Sequence, residues 1–149
     1  MNHYGYGSNL NLAFLKQYCP SAKYVMKAYL PNFEVQFRFW SEKRNGGIST
    51  IIPAPGELVH GVIYDVSVKD IEALDILESV PQGLYKRETF KVLGEDMKWH
   101  DADLYHVSEP KGPFTPSKSY VELMLNGAKE HGLASEYIKK IEGILSRSG

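Results

Sequence analysis

The chain predicts an α+β fold built on a small, mixed, strongly curved or closed sheet, and three observations carry that prediction. Short segments rich in Val, Ile, Phe and Tyr, separated by turn residues, fill most of the first two-thirds of the sequence. Helical periodicity appears near the start, in the middle and at the end, not after every strand, so the regular alternation of a doubly wound sheet is missing. No internal repeat or low-complexity linker interrupts the 149 residues, which are read as a single domain over 1–149, long enough to bury a substantial core.

The elements follow in order. Residues 3–6 make a short first strand. Ser8 or Asn9 is placed to cap a helix over 10–18, which Cys19-Pro20 ends. Residues 22–30 and 33–39 are rich in aromatic and branched side chains and read as strands, with Pro31-Asn32 as the turn between them. A polar stretch over 40–45 leads into Gly46-Gly47 and a strand over 48–52. Residues 53–56 read as a turn, and 58–66 as a buried strand. Ser67 followed by Asp70 resembles a capping-box start, and Val68, Ile71, Leu74 and Leu77 then mark one helix face. Residues 87–92 and 99–107 read as a hairpin around Gly94-Glu95-Asp96. Three prolines make 108–116 a loop that could serve as a lid. Helices over 117–130 and 135–145 close the chain, with Gly132 past the end of the first.

Composition narrows the function classes. A net charge of −1 gives no global field for nucleic acid or anionic lipid, so neither is an expected partner. No apolar run approaches the ~20 residues needed to cross a bilayer, and the N-terminus lacks a basic-then-apolar signal segment. The single cysteine, Cys19, has no internal disulfide partner, which makes a reducing, cytoplasmic setting the expectation. The five histidines show no metal-ligand spacing, so a metal site is not expected. None of them can be tied by spacing to Ser8 or Cys19, and a nucleophilic triad has no support.

Two segments could carry chemistry. In Gly5-Tyr6-Gly7-Ser8-Asn9 the dinucleotide fingerprint and the nucleophile elbow both fail, because each would need glycine where Leu10 stands. Two readings stay open: a strand-to-helix turn using glycine for positive φ, or a cradle of backbone N–H groups for a carboxylate or oxyanion. Glu78 closes the helix that begins after Ser67, among apolar neighbours. It is either a solvated surface acid or a carboxyl whose pKa is raised by partial burial and by the negative helix terminus, the tuning a general base requires. Tyr85, Tyr105 and Tyr120, among ten tyrosines, are core aromatics or pocket phenols.

Taken together, several segments resemble the gamma-glutamylcyclotransferase family. They are Tyr6-Gly7-Ser8-Asn9-Leu10, Gly46-Gly47-Ile48-Ser49-Thr50-Ile51, Pro55-Gly56-Glu57-Leu58-Val59-His60-Gly61-Val62, Leu74-Asp75-Ile76-Leu77-Glu78-Ser79-Val80, Pro81-Gln82-Gly83-Leu84-Tyr85 and Asn126-Gly127-Ala128-Lys129-Glu130-His131-Gly132-Leu133. They run in order along nearly the whole chain. The resemblance implies a small closed or nearly closed β-barrel with flanking helices. It implies an enzyme that cyclises the gamma-glutamyl group of an amide to 5-oxoproline and frees the amine, without cofactor or metal. By position it makes Glu78 the general acid/base, gives Tyr4, Gly5, Tyr6, Gly7 and Ser8, with the N–H of Asn9, to the substrate pocket, and adds Tyr85, Tyr105 and Tyr120 as pocket phenols. A small gamma-glutamyl compound is the expected partner, and a homodimer is an open option. The branch acting on gamma-glutamyl-lysine carries Tyr-Gly-Thr-Leu and the glutathione-specific branch a tryptophan soon after Tyr-Gly-Ser. Ser8-Asn9 and Leu10-Asn11 match neither, so the leaving amine stays open, to be set by the lid-like segments Trp40–Asn45 and Ser108–Pro116. A non-catalytic module binding small carboxylates on the same fold is the alternative.

Overall fold

A computed structural model describes residues 1–149. Its five strands close into a barrel in the order β1-β3-β2-β4-β5. They are β1 (Asn2–Gly5), β2 (Lys23–Ser41), β3 (Gly46–Asp65), β4 (Tyr85–Gly94) and β5 (Trp99–Val107). Four helices flank it: α1 (Leu12–Lys16), α2 (Val68–Leu77), α3 (Lys118–Glu130) and α4 (Ser135–Ser146). The pairings are antiparallel except where β1 meets β5 side by side at His3 and Asp103, so the sheet is mixed as well as closed.

Alternation of side chains across the strands sorts the apolar residues into two cores. Tyr4, Ala28, Leu30, Val59, Ile63, Val92, Ala102 and Leu104 fill the barrel, and every strand contributes. The Tyr4 ring spans this interior, its hydroxyl placed to donate to the carbonyls of Ala28 (3.0 Å) and Val59 (3.2 Å). Gly61 lies against the ring, and a Cβ there would sit 2.6 Å from Tyr4 Cζ. The second core, with Val62, Tyr64, Tyr105 and Val107 on the outer barrel face, is covered by Ile71 and Leu74 of α2 and by Val121, Met124 and Ala128 of α3.

Several expected boundaries move. Pro31-Asn32 and the 53–56 segment do not separate strands; both lie inside the long β2–β3 hairpin. They face each other as one irregularity, where Pro31 pairs with Leu58 and Phe33 already pairs with Pro53. The extra residues bulge out and bend both strands. Asn32 (φ 68°) and Gly56 (φ 86°) take left-handed backbone there, and the Gly56 N–H donates to Asn32 Oδ1 at 3.1 Å. A proline and an αL residue thus mark a barrel corner here, a signal identical in sequence to a turn.

The first helix also begins later than expected. Residues Ser8–Leu10 form a single 3₁₀ turn, and the side chain of Asn11 caps α1 by accepting from Phe14 N at 3.0 Å. Ser67 does cap α2, but Asp70 does not return to Ser67. Its carboxylate accepts from the Ser21 backbone N–H and hydroxyl instead, tying α2 to the loop before β2. Of the expected α2 stripe, Ile71 and Leu74 are buried, whereas Val68 and Leu77 are exposed. The 108–116 loop is pinned along β2 by Lys111 N to Arg38 O (2.8 Å) and Phe114 N to Phe37 O (2.9 Å). No helix is long and apolar enough to cross a membrane.

Candidate active site

One end of the barrel opens into a cavity of about 160 Å³ where elements from across the chain converge. The loop after β1 supplies Tyr6, Gly7, Ser8 and Asn9. The tip of the β2–β3 hairpin supplies Ser41, Lys43, Arg44 and Ser49, the end of α2 supplies Leu77 and Glu78, and β4, β5 and α3 each supply a tyrosine: Tyr85, Tyr105 and Tyr120. Tyr4 and His3 reach it from β1. Of the ten residues expected at the site, Gly5 alone does not line the cavity. It packs behind the loop, where a Cβ would lie 2.6 Å from Asn9 O.

The glycines of the opening loop are required by contact and not by positive φ, since neither Gly5 nor Gly7 has a left-handed backbone. Gly7 lies against Ser49 and Tyr120, and a Cβ there would clash with the Ser49 hydroxyl. The N–H groups of Gly7, Ser8 and Asn9 make no turn, loop or cap hydrogen bond. The three residues line the cavity, and their N–H groups have no partner within the protein. The Asn9 side chain is turned away, hydrogen-bonded through Nδ2 to Nε2 of the fully buried His3 at 3.1 Å. Burial pushes the His3 pKa down to about 4 and keeps the ring neutral.

The tyrosines form walls whose hydroxyls mostly serve the scaffold. Tyr6 donates to Tyr105 O, Tyr85 to Ser49 O (3.3 Å), and Tyr105 to Asp75 Oδ1 (2.7 Å). Tyr120 shares a hydrogen bond with Ser49 Oγ (2.8 Å) and accepts from Ser49 N (3.2 Å). Desolvation raises the pKa values of Tyr6, Tyr85 and Tyr105, so these phenols stay protonated. They shape and dry the site, and none of the three is a base near neutral pH.

Glu78 is positioned by the end of its helix. The Ser79 N–H donates to Ile76 O (3.1 Å) and the Val80 N–H to Asp75 O (3.0 Å), the paired bonds of a Schellman turn. That turn puts Ser79 in the left-handed region at φ 55° and stops α2 with the Glu78 side chain at the cavity wall. The carboxyl pairs with no cation and accepts no hydrogen bond from the protein. It lines the same cavity as Tyr6, Tyr85 and Tyr105, and desolvation lifts its pKa to about 7. A partly buried, desolvated carboxyl with no charged partner can exchange a proton near neutral pH. α2 is itself held to the barrel by Arg87, which bridges Asp75 (2.8 Å) and Asp103.

A model of the AIG2-like family matches residues 58–141, which include Glu78 and three of the cavity's walls. The chain is 33% identical over 146 residues to the gamma-glutamylcyclotransferase of Mus musculus, covering 95% of this chain and 77% of that one. It belongs to the gamma-glutamylcyclotransferase family. The relative of that name from Homo sapiens is 32% identical over the same coverage. A solved structure described as a gamma-glutamyl cyclotransferase superposes with a TM-score of 0.90 at 30% identity, covering 95% of this chain and 86% of that one. The closed barrel with flanking helices is therefore the fold of this family of enzymes.

Family membership was visible in short motifs, and the structure shows why they recur together. Gly7, Ser49 and Tyr120, from three motifs or elements, touch one another, and Gly127 lets α3 press against the backbone of Leu10 and Asn11. Two cavity features escaped the sequence reading. Ser49 is the junction holding Tyr85 and Tyr120, a role visible only once those elements meet. Arg44 sits on a polar hairpin tip that looks like any solvated turn in sequence.

Proposed function

We propose that this chain catalyses intramolecular cyclisation of a gamma-glutamyl amide, releasing 5-oxoproline and a free amine. The observation that carries the reading is the unpaired, desolvated Glu78 carboxyl beside the free N–H groups of Gly7, Ser8 and Asn9. The glutamyl α-amine attacks its own γ-carbonyl carbon, a C–N bond forms, and the bond to the leaving nitrogen breaks. Over the cycle the attacking ammonium loses two protons and the leaving nitrogen gains two, so no water is consumed. Glu78, able to hold or release a proton near pH 7, shuttles between the two nitrogens. The N–H groups hold the α-carboxylate or the developing oxyanion. The tyrosine walls keep the glutamyl arm curled, which turns ring closure into a pre-oriented unimolecular step. The roles of these residues need no protein nucleophile.

The test is release of 5-oxoproline from gamma-glutamyl-alanine, glutathione and gamma-glutamyl-ε-lysine by the purified protein. Product from at least one supports the reaction. A rise in thermal stability with these compounds and no product would instead support a binding module.

A further inference from the structure

The cavity is lined by one acid, Glu78, and by two cations that join no ion pair, the exposed Lys43 and the half-buried Arg44. Glu78 comes from α2, and Arg44 comes from the tip of the β2–β3 hairpin. The Arg44 guanidinium has no carboxylate partner, since none of the molecule's ion pairs includes it. It lies over the Phe14 ring at 5.0 Å from the centroid and over the Tyr120 ring at 5.8 Å. Its own backbone N–H is tied to Ser41 Oγ at 3.1 Å. Contact with two aromatic rings uses none of the guanidinium N–H donors, which make no hydrogen bond within the protein, and it limits the rotamer freedom that anion capture would otherwise cost.

We propose that Arg44 is a specificity-determining residue that receives a carboxylate on the leaving group of the substrate. This rests on the cyclotransferase reading above. The glutamyl part of any substrate has one ammonium, matched by Glu78, and one carboxylate, matched by the N–H groups of Gly7, Ser8 and Asn9. With the glutamyl ammonium and carboxylate matched in this way, the Arg44 donors are left for a second anionic group on the substrate. With the glutamyl part assigned to Glu78 and the loop N–H groups, the amine side of the scissile amide is left for the hairpin tip, where Glu42, Lys43 and Asn45 beside Arg44 are exposed. A leaving group with its own carboxylate completes the charge pattern with a charge-assisted, fork-shaped contact to Arg44. A neutral amine leaves those donors to water.

The experiment compares kcat/KM for gamma-glutamyl-L-alanine and gamma-glutamyl-L-alaninamide, which differ only in that carboxylate, in the wild type, Arg44→Gln and Arg44→Glu. Wild type is expected to prefer the acid by about tenfold to a hundredfold. Arg44→Gln should bring the two within about threefold by losing turnover on the acid alone, and Arg44→Glu should favour the amide. The ratio within each variant cancels any general disturbance of the fold, and Arg44→Lys, keeping the charge, should retain part of the preference. Equal turnover of both substrates by wild type, or an equal fall on both in Arg44→Gln, overturns the assignment while leaving the reaction standing. No 5-oxoproline from either substrate with wild type overturns the reaction and this assignment with it.

Discussion

Replacing Glu78 by Gln should make the protein more stable at alkaline pH, and the size of the gain follows from the site. An exposed glutamate carboxyl titrates near 4.5, whereas burial holds Glu78 at about 7 in the fold. Between those values the folded chain keeps a proton that the unfolded chain has lost, so the Glu78 contribution falls as pH rises through that window and levels off above it. Each tenfold change in proton affinity is about 1.4 kcal/mol, so the full effect would be about 3 kcal/mol. The cavity is open to water on one side, and this screening leaves about 1–2 kcal/mol. The amide of the variant carries no charge to desolvate. At pH 8.5 the variant is expected to melt about 3–6 °C above wild type, with a smaller difference at pH 5 and near equality at pH 4. Thermal unfolding followed by circular dichroism across that pH range measures it. A variant equal to or less stable than wild type at pH 8.5 would refute the reasoning, because it would mean the charged carboxylate has a stabilising partner.

Three further perturbations probe the frame around the site. Ser79→Gly, at φ 55°, relieves a left-handed penalty of about 1 kcal/mol, partly offset by the greater freedom of glycine in the unfolded chain, so Tm should rise by about 1–3 °C in a scanning calorimeter. Tyr4→Phe leaves the barrel filled but removes the hydroxyl between the Ala28 and Val59 carbonyls, and urea unfolding should show a loss of about 1–2 kcal/mol. Arg87→Met unbridges Asp75 and the nearly buried Asp103, and the same assay should show a loss of about 1–3 kcal/mol, which Asp103→Asn in the Met background should partly restore.

The fold was legible where local pattern and tertiary role agree. Ser67 was a recognisable cap and does accept from Asp70 N, and the turn expected around Gly94-Glu95-Asp96 does close the β4–β5 hairpin, whereas Ser117, read as the first residue of its helix, is in fact its cap. The long β2–β3 hairpin was misread because Pro31-Asn32 and residues 53–56 mean a turn in isolation. Only their mutual pairing across the sheet turns them into a bend within two continuous strands. Asn11 displaced Ser8 and Asn9 as the helix cap because the chain needed one more tight turn to bring Gly7 against Ser49. At the site, the family motifs named Glu78 and its apolar neighbours left open a carboxyl raised by partial burial; which of the two readings holds depended on a cavity that residues distant along the chain close around it. Arg44 carried no signal because cation stacking depends on Phe14 and Tyr120, which are far away along the chain.

The measurement that bears most directly on the central claim is the rate of 5-oxoproline release from gamma-glutamyl-alanine by wild type and by Glu78→Gln at saturating substrate. If Glu78 moves the protons, kcat should fall by at least about a hundredfold while KM stays within a few-fold, and the wild-type kcat should rise with pH through an apparent pKa near 7. A folded Glu78→Gln protein that keeps the wild-type kcat and the same pH profile would contradict the account.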